Sequence, residues 1–202
     1  MYHILKLPRE FYECDTLAVA RELLGKYLVH HTGDGTTIGK IVEVEAYIGP
    51  DDAAAHTFGG LRTGRTEAAF GPGGYAYVYL IYGIHCCFNI VTSTAGKPEV
   101  VLVRALEPVE GHELMRKRRN TPYDKDLCSG PGKLCCAMGI TRAENAVDLC
   151  GNRLYLLDNC NIPENDIIAT PRMNIDYAGE AKDYPWRYII KGNSFVSRGR
   201  FR

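Results

Sequence analysis

The sequence has no surplus of charge of either sign: 24 Lys and Arg stand against 24 Asp and Glu in 202 residues. Proteins that work on nucleic acid usually carry a basic excess, so any such role must rest on how charge is distributed. The Cys-x-x-Cys spacing of zinc and redox sites is also missing, although there are eight cysteines, at 14, 86, 87, 128, 135, 136, 150 and 160. His85-Cys86-Cys87 could hold a metal, but neighbouring strand residues point to opposite faces, so packing is the favoured reading. Reduced, mostly buried thiols are therefore expected. No stretch approaches the roughly 20 apolar residues of a membrane span. The opening MYHILKLPREFYECD lacks the apolar core of a signal peptide. These absences predict a soluble, cytoplasmic protein with no membrane partner. Repeats, low-complexity tracts and linkers are lacking too, so one domain over residues 1–202 is expected. A chain of this length buries roughly 70% of its extended surface and needs no disulfide or metal to fold.

The charge that is present is uneven. From Pro185 to Arg202 there are five basic residues, Arg187, Lys191, Arg198, Arg200 and Arg202, and no acidic one. A second run, Arg116-Lys117-Arg118-Arg119, ends a predicted helix. Taken alone, each run reads as a solvated face or tail.

Asp15 can cap a helix through Leu17, Ala20, Leu23 and Leu24, with Gly25 as its stop. Tyr27 to His31 and Ile38 to Tyr47 read as a hairpin about Thr32-Gly33-Asp34-Gly35. A second pair, Tyr75 to Ile81 and Ile84 to Thr92, is joined at Tyr82-Gly83. Val100 to Arg104 is another strand, and Pro108 is expected to open a helix ending near Arg119. Ser129-Gly130-Pro131 starts a helix that Gly139 ends, and Thr141 with Glu144 has capping-box spacing. Leu154 to Leu157, Ile167 to Ala169 and Tyr188 to Lys191 look like closing strands. Hairpin-joined strands with segregated helices predict an α+β fold: one curved, mainly antiparallel β-sheet, flanking helices and a protruding β-hairpin.

Three stretches carry candidate chemistry. In Ile41-Val42-Glu43-Val44-Glu45-Ala46-Tyr47, period two puts Glu43, Glu45 and Tyr47 on one face and Val42, Val44 and Ala46 on the other. That is either a plain amphipathic strand or a pair of carboxylates and a phenol lining a site. Lys40 has the opposite parity to Glu45 and is poorly placed as an amine nucleophile. Asp51, Asp52 and His56 follow in a turn, with nothing else to complete a metal-ligand set. Tyr75, Tyr77 and Tyr79 share a strand face, and Tyr82 would sit at the hairpin tip, where a large aromatic tends to be exposed. His85, Cys87 and Asn89 share a face of the return strand. Finally, Lys133 in the first turn of a helix opposes the macrodipole unless an anion sits there, as a nucleic-acid phosphate would.

Ordered along the chain, these motifs resemble the alkyladenine (3-methyladenine) DNA glycosylases of the mammalian type, found also in many bacteria. The resemblance rests on Asp15-Thr16-Leu17-Ala18, Leu23-Leu24-Gly25, Glu43-Val44-Glu45-Ala46-Tyr47 through Asp52 and His56, Tyr77 through Gly83 with Asn89, Arg104 through Pro108, and Cys128 through Leu134. It implies a monofunctional hydrolase that flips damaged purines, alkylated or deaminated, out of double-stranded DNA and cleaves the N-glycosidic bond. By position, Glu45 matches the general base and Arg104 a residue beside the attacking water and the target phosphate. Tyr47, His56 and Tyr79 match the residues that hold the flipped base, and Asn89 the one that disfavours guanine. Tyr82 matches the side chain left in the vacated gap. Arg65 and Lys133 are the further candidates for DNA contact. No metal or other cofactor is implied, and a monomer in the bacterial cytosol is expected. This chain departs from the longer mammalian members at Ala69, where those have a methionine near the wedge, and in the hairpin approach Gly74-Tyr75-Ala76.

Two other readings share these features. A nucleoside or nucleotide hydrolase would use the same glycosidic chemistry, without need of a tip tyrosine. A non-enzymatic nucleic-acid-binding module would use the tyrosines as stacking platforms and leave the Glu43/Glu45 face unexplained. From the residues alone, either carboxylate can be the base; the resemblance selects Glu45.

Overall fold

In the computed structural model, which describes residues 5–197, all eight strands join one sheet, and every strand pairing is antiparallel. The strands are β1 (Tyr27–Thr32), β2 (Gly35–Ile48), β3 (Ala76–Ile81), β4 (His85–Thr92), β5 (Glu99–Glu110), β6 (Leu154–Leu157), β7 (Ile167–Thr170) and β8 (Arg187–Ile190). The main path runs β3-β4-β5-β2-β1-β6, and β8 pairs with both β2 and β7. Strand β2 is the hub: β5 flanks it along most of its length, while β1 and then β8 share its other edge.

Helices α1 (Arg9–Tyr12), α2 (Thr16–Glu22), α3 (His112–Arg119), α4 (Asp124–Leu127) and α5 (Pro131–Met138) complete the α+β fold. The main core joins Val44 and Ala46 of β2, Val78, Phe88, Ile90, Val101 and Val103 to Val19, Leu23, Leu134 and Met138. Local signals act as expected. The Asp15 side chain accepts from Ala18 N at the start of α2, Thr141 and Glu144 form a capping box, and Gly139 closes α5 in the left-handed region.

The opposite sheet face is also covered. Tyr77, Val91 and Val100 pack there on Ala69, with Tyr47 and Tyr79 against them. Burial of both faces gives the polar residues of β2, β4 and β5 a dry setting. It also places Ala69 beneath the tyrosines, in the same cavity lining as Tyr82.

Three expectations need correction. Pro108 does not open a helix: β5 continues through it, opposite Gly39 at a register irregularity of the β2–β5 pair, where a missing N–H does least harm. The helix waits for Gly111, whose φ of 81° turns the chain into α3. The thiols are not mostly buried: Cys87, Cys128 and Cys135 are, Cys86 and Cys150 are half-buried, and Cys14, Cys136 and Cys160 are exposed. The Arg116–Arg119 run is largely used internally, whereas Lys191 of the C-terminal run is exposed as expected. Arg116 pairs with Glu113 and Asp124, Arg118 reaches Asp34 and Ala137 O, and Arg119 donates to Leu127 O. Arg187 of the C-terminal run is buried; Arg198, Arg200 and Arg202 lie outside the described residues. Among the described residues no helix is long and apolar enough to cross a membrane.

The join from β5 to α3 generates a test. A Cβ at position 111 would collide with Thr36 O and lie 2.9 Å from Thr37 Cγ2, in a left-handed backbone. Gly111→Ala is expected to destabilise the protein by at least about 1–3 kcal/mol in urea unfolding. A loss under about 0.5 kcal/mol, the size of an ordinary surface change, would contradict this placement.

Candidate active site

The second sheet face opens into a cavity of about 310 Å³, at the lower end of the range for small-ligand sites. Tyr47 from β2, His56 and Thr57 from the loop after it, Tyr77 and Tyr79 from β3, Cys87 and Asn89 from β4, and Leu102 and Arg104 from β5 line it. Alternation along these strands is the reason one wall collects them: in each, every second residue faces the cavity.

Arg104 owes its position to paired irregularities. Val44 is opposite Val103, Glu43 is opposite Ala105, and Ile41 is opposite Leu106. Arg104 and Val42 are therefore left without partners, a bulge on each strand, and bulges re-aim side chains beside sites. The Arg104 guanidinium reaches both carboxylates, Nε to Glu43 Oε1 at 3.0 Å and Nη1 to Glu45 Oε2 at 3.3 Å.

The two carboxylates differ in what holds them. Glu43 Oε1 accepts from Arg104 Nε, Arg187 Nε at 2.7 Å and Ser197 Oγ at 2.9 Å, and its Oε2 accepts from Ser197 N at 2.7 Å. Three donors thus converge on Oε1 and one on Oε2, and two of the four come from arginines. Burial pushes the Glu43 carboxyl up, but the Arg104 and Arg187 charges and the Ser197 bonds outweigh it and hold it below the ordinary range. Glu45 has three donors: Met173 N to Oε1 at 2.7 Å, and Tyr47 Oη at 2.8 Å with Arg104 Nη1 to Oε2. Glu45 is fully buried, just behind the cavity wall, and the three residues that donate to it all line that wall.

Around the cavity, His56 Nδ1 is 3.2 Å from Tyr77 Oη, and its ring meets Tyr79 edge-on at 4.5 Å. Burial, and then the Arg65 charge, push the His56 imidazole down to about 4, so it is neutral at pH 7. Burial raises the phenols: Tyr77 to about 12, and Tyr47 and Tyr79 well above their usual range. Asn89 is fixed by its side-chain nitrogen, which donates to Tyr77 O at 3.0 Å. Arg65 stands at the mouth, exposed, its guanidinium carbon 5.0 Å from the Tyr79 ring centre.

The hairpin tip borders the cavity. Tyr82 and Gly83 both have positive φ, 52° and 73°, and Ile84 N closes the turn on Ile81 O at 3.3 Å. Both signs positive is the type I′ pattern, which Asn-Gly favours and tyrosine does not. Tyr82 is nonetheless there, 84% exposed, beside Ile84 at 74%. Of the predicted residues, Glu45 lies behind the cavity wall, Arg65 stands beside Tyr79 without lining it, and Lys133 is set apart. It lies in an adjoining groove with Ser129 and Arg119, its Nζ 3.5 Å from Ser129 Oγ. Gly130, before it, caps α5 with no side chain.

Several residues of this site carry no signal in the sequence. Met173 acts through a backbone N–H, which any residue has. Asn174, with φ 59°, and the exposed Tyr177 line the mouth from the same loop. Asp52 is not a metal ligand but the buried partner of Arg172, and no group of three potential ligands occurs among the described residues. Arg187 was read as part of a solvated run and instead neutralises Glu43.

A family model described as Methylpurine-DNA glycosylase (MPG) matches residues 10–194. A protein of Clostridium acetobutylicum named "Putative 3-methyladenine DNA glycosylase" is 53% identical over 201 residues, covering 96% of this chain and 98% of its own. Proteins of the same name from Bacillus cereus (strain G9842) and Bacillus mycoides are 50% and 51% identical, over 96% of this chain and 100% of theirs.

The two buried arginines that Glu43 pairs with make it a stability element. Glu43→Gln leaves two buried guanidinium groups short of a charge and is expected to cost about 3–5 kcal/mol at pH 7. Because the folded carboxyl titrates below its unfolded value, its contribution is complete above about pH 4.3 and is lost as pH falls through the folded value. The gap between variant and parent in urea unfolding should therefore shrink from pH 7 to pH 3. A gap that stays constant would contradict the assignment.

Proposed function

The chain belongs to the methylpurine-DNA glycosylase family, and from that membership we propose that its cavity receives an alkylated purine everted from duplex DNA and hydrolyses its N-glycosidic bond with a water held by Glu45. Membership makes the chain a DNA glycosylase, a hydrolase whose substrate is DNA. The finer reading rests on one observation above the others. Of two buried carboxylates beside an aromatic cavity, Glu43 is held by Arg104, Arg187 and Ser197, of which only Arg104 lines the cavity, whereas all three residues that donate to Glu45 line it.

Cleavage of the bond builds positive charge on the sugar and negative charge on the leaving base. Glu45 orients the water, takes its proton and faces the cationic sugar, as in other glycosidic hydrolysis. Arg104 donates to the carboxylate and aims it. The everted base sits between Tyr47, His56 and Tyr79, and Asn89 crowds the exocyclic amine of guanine. Tyr82 fills the gap left in the stack, while Arg65 and Lys133 meet phosphates. Flipping costs a few kcal/mol, least for damaged bases, and stacking on an aromatic returns about 1–3 kcal/mol per base. A modest net energy favours weakly paired bases.

The pocket groups also bear on which purine leaves. Tyr47, Tyr77, Tyr79 and His56 are all pushed away from neutrality. None of these four is poised near pH 7 to protonate a neutral base, so purines already made cationic by alkylation, such as 3-methyladenine, are the better substrates. Deaminated purines are slower ones on this account. Attack by water rather than by an amine makes the enzyme monofunctional, and it acts as a monomer.

Two outcomes test this reading. Glu45→Gln should lower single-turnover excision from a 3-methyladenine or 7-methylguanine duplex by about 10²–10⁴-fold with lesion affinity nearly intact. Near-parental excision by that variant would overturn the role. Tyr82→Asn suits the left-handed turn better, so the protein should be at least as stable. Loss of the wedge should weaken lesion-duplex binding about 5- to 150-fold, the equivalent of about 1–3 kcal/mol. Unchanged affinity in that variant would remove the wedge from the account.

A further inference from the structure

Two of the three donors to Glu45 are carried by groups that a single buried arginine holds. Arg172 and Asp52 form a bidentate ion pair in which neither side chain has exposed surface, with Nη2 2.8 Å from Asp52 Oδ1 and Nη1 against Oδ2. Nη1 also donates at 2.9 Å to Ala46 O, the carbonyl of the residue between Glu45 and Tyr47, and Nη2 to Ala181 O at 3.1 Å. The guanidinium carbon lies 4.7 Å from the centre of the Tyr47 ring and 5.0 Å from that of Trp186. Asp52 in turn accepts from Ile48 N at 3.2 Å and from Ala54 N at 3.0 Å, and Ala54 begins the cavity wall that leads to His56.

We infer that the Asp52–Arg172 pair is a positioning clamp for the reaction: it joins β2, the 48–56 loop and the 172–177 loop so that Tyr47 Oη and Met173 N aim the Glu45 carboxylate. The inference rests on the reading of Glu45 as the base. Its geometric core is short. Arg172 is covalently next to Met173, whose N–H binds Oε1, and it stacks on Tyr47, whose hydroxyl binds Oε2. The ring's position is thus set by the cation packed on it, and the loop's by bonds to three chain segments. A generic pair of buried charges would serve stability as well with any geometry, and is often replaceable by apolar groups. Here the Arg172 Nε has no hydrogen-bond partner while both terminal nitrogens are shared between a carboxylate and a carbonyl. The planar fork is what the site uses, and a lysine cannot reproduce it.

The test compares the parent, Arg172→Lys, the charge-free double variant Asp52→Asn with Arg172→Met, and Glu45→Gln, each first checked for a cooperative unfolding transition. A duplex with one 7-methylguanine is the probe, for both affinity and single-turnover excision at saturating enzyme. The folded clamp variants should bind the lesion duplex within about threefold of the parent but excise about 10²-fold more slowly, the loss typical of a misplaced catalytic group. Excision within about threefold of the parent would overturn the clamp, as would lost affinity with an unchanged saturating rate. Failure of both clamp variants to fold would overturn it too, by making the pair a folding element. Near-parental excision by Glu45→Gln would instead sink the reading of Glu45, whatever the clamp variants do.

Discussion

Four buried charges, Glu43, Glu45, Arg104 and Arg187, lie together in the sheet and sum to zero. A buried charge without a partner is costly, so removal of any one of the four would strain the other three. This constraint ties the fold to the site. β2 supplies the carboxylates, β5 supplies one arginine at a bulge, and β8 closes against β2 to supply the other. The sheet can be assembled in this register only with the cluster satisfied, and the cluster exists only in this register. Glu43 pairs with both arginines, whereas Glu45 pairs with Arg104 alone and takes its other two bonds from cavity-lining Tyr47 and Met173.

The two faces of the sheet divide the remaining labour. One face is apolar and carries the helices; the other is walled by tyrosines and opens to the hairpin tip. Burial of the second face does more than stabilise it. It keeps the phenols protonated and His56 neutral, so the cavity offers aromatic faces and uncharged donors with one carboxylate behind them. That suits a flat cationic base better than a neutral one. Tyr82 violates the local preference of its turn, and such a conflict is expected where function outweighs stability.

Much of this was legible in the sequence because it obeys short-range rules. Period two put Glu43, Glu45 and Tyr47 on one face. The Asp15 cap, the Thr141–Glu144 box and the Tyr82-Gly83 turn depend on neighbours within four residues. What escaped depends on long-range pairing. The bulge at Arg104 cannot be seen without the partner strand, nor can the union of Asp52 with Arg172 across 120 positions. Met173 contributes only a peptide N–H. Pro108 misled because proline often opens helices, whereas here it sits in a strand at an irregular register. Arg187 was read by its basic neighbours rather than by its strand. Zero net charge was uninformative for a related reason: many of the basic residues are spent on internal pairs. The choice of Glu45 over Glu43 needed family resemblance, and the fact that all three residues donating to Glu45 line the cavity supports the same choice on physical grounds.

The central claim is that this cavity hydrolyses the purine bond of duplex DNA with water as the nucleophile. Product analysis after one turnover on a methylated duplex in ¹⁸O-labelled water, with borohydride present in a parallel sample, tests it most directly. The account predicts free methylpurine, an abasic sugar carrying the label, and no covalent protein–DNA adduct. A borohydride-trapped adduct, or an abasic product without the label, would contradict it.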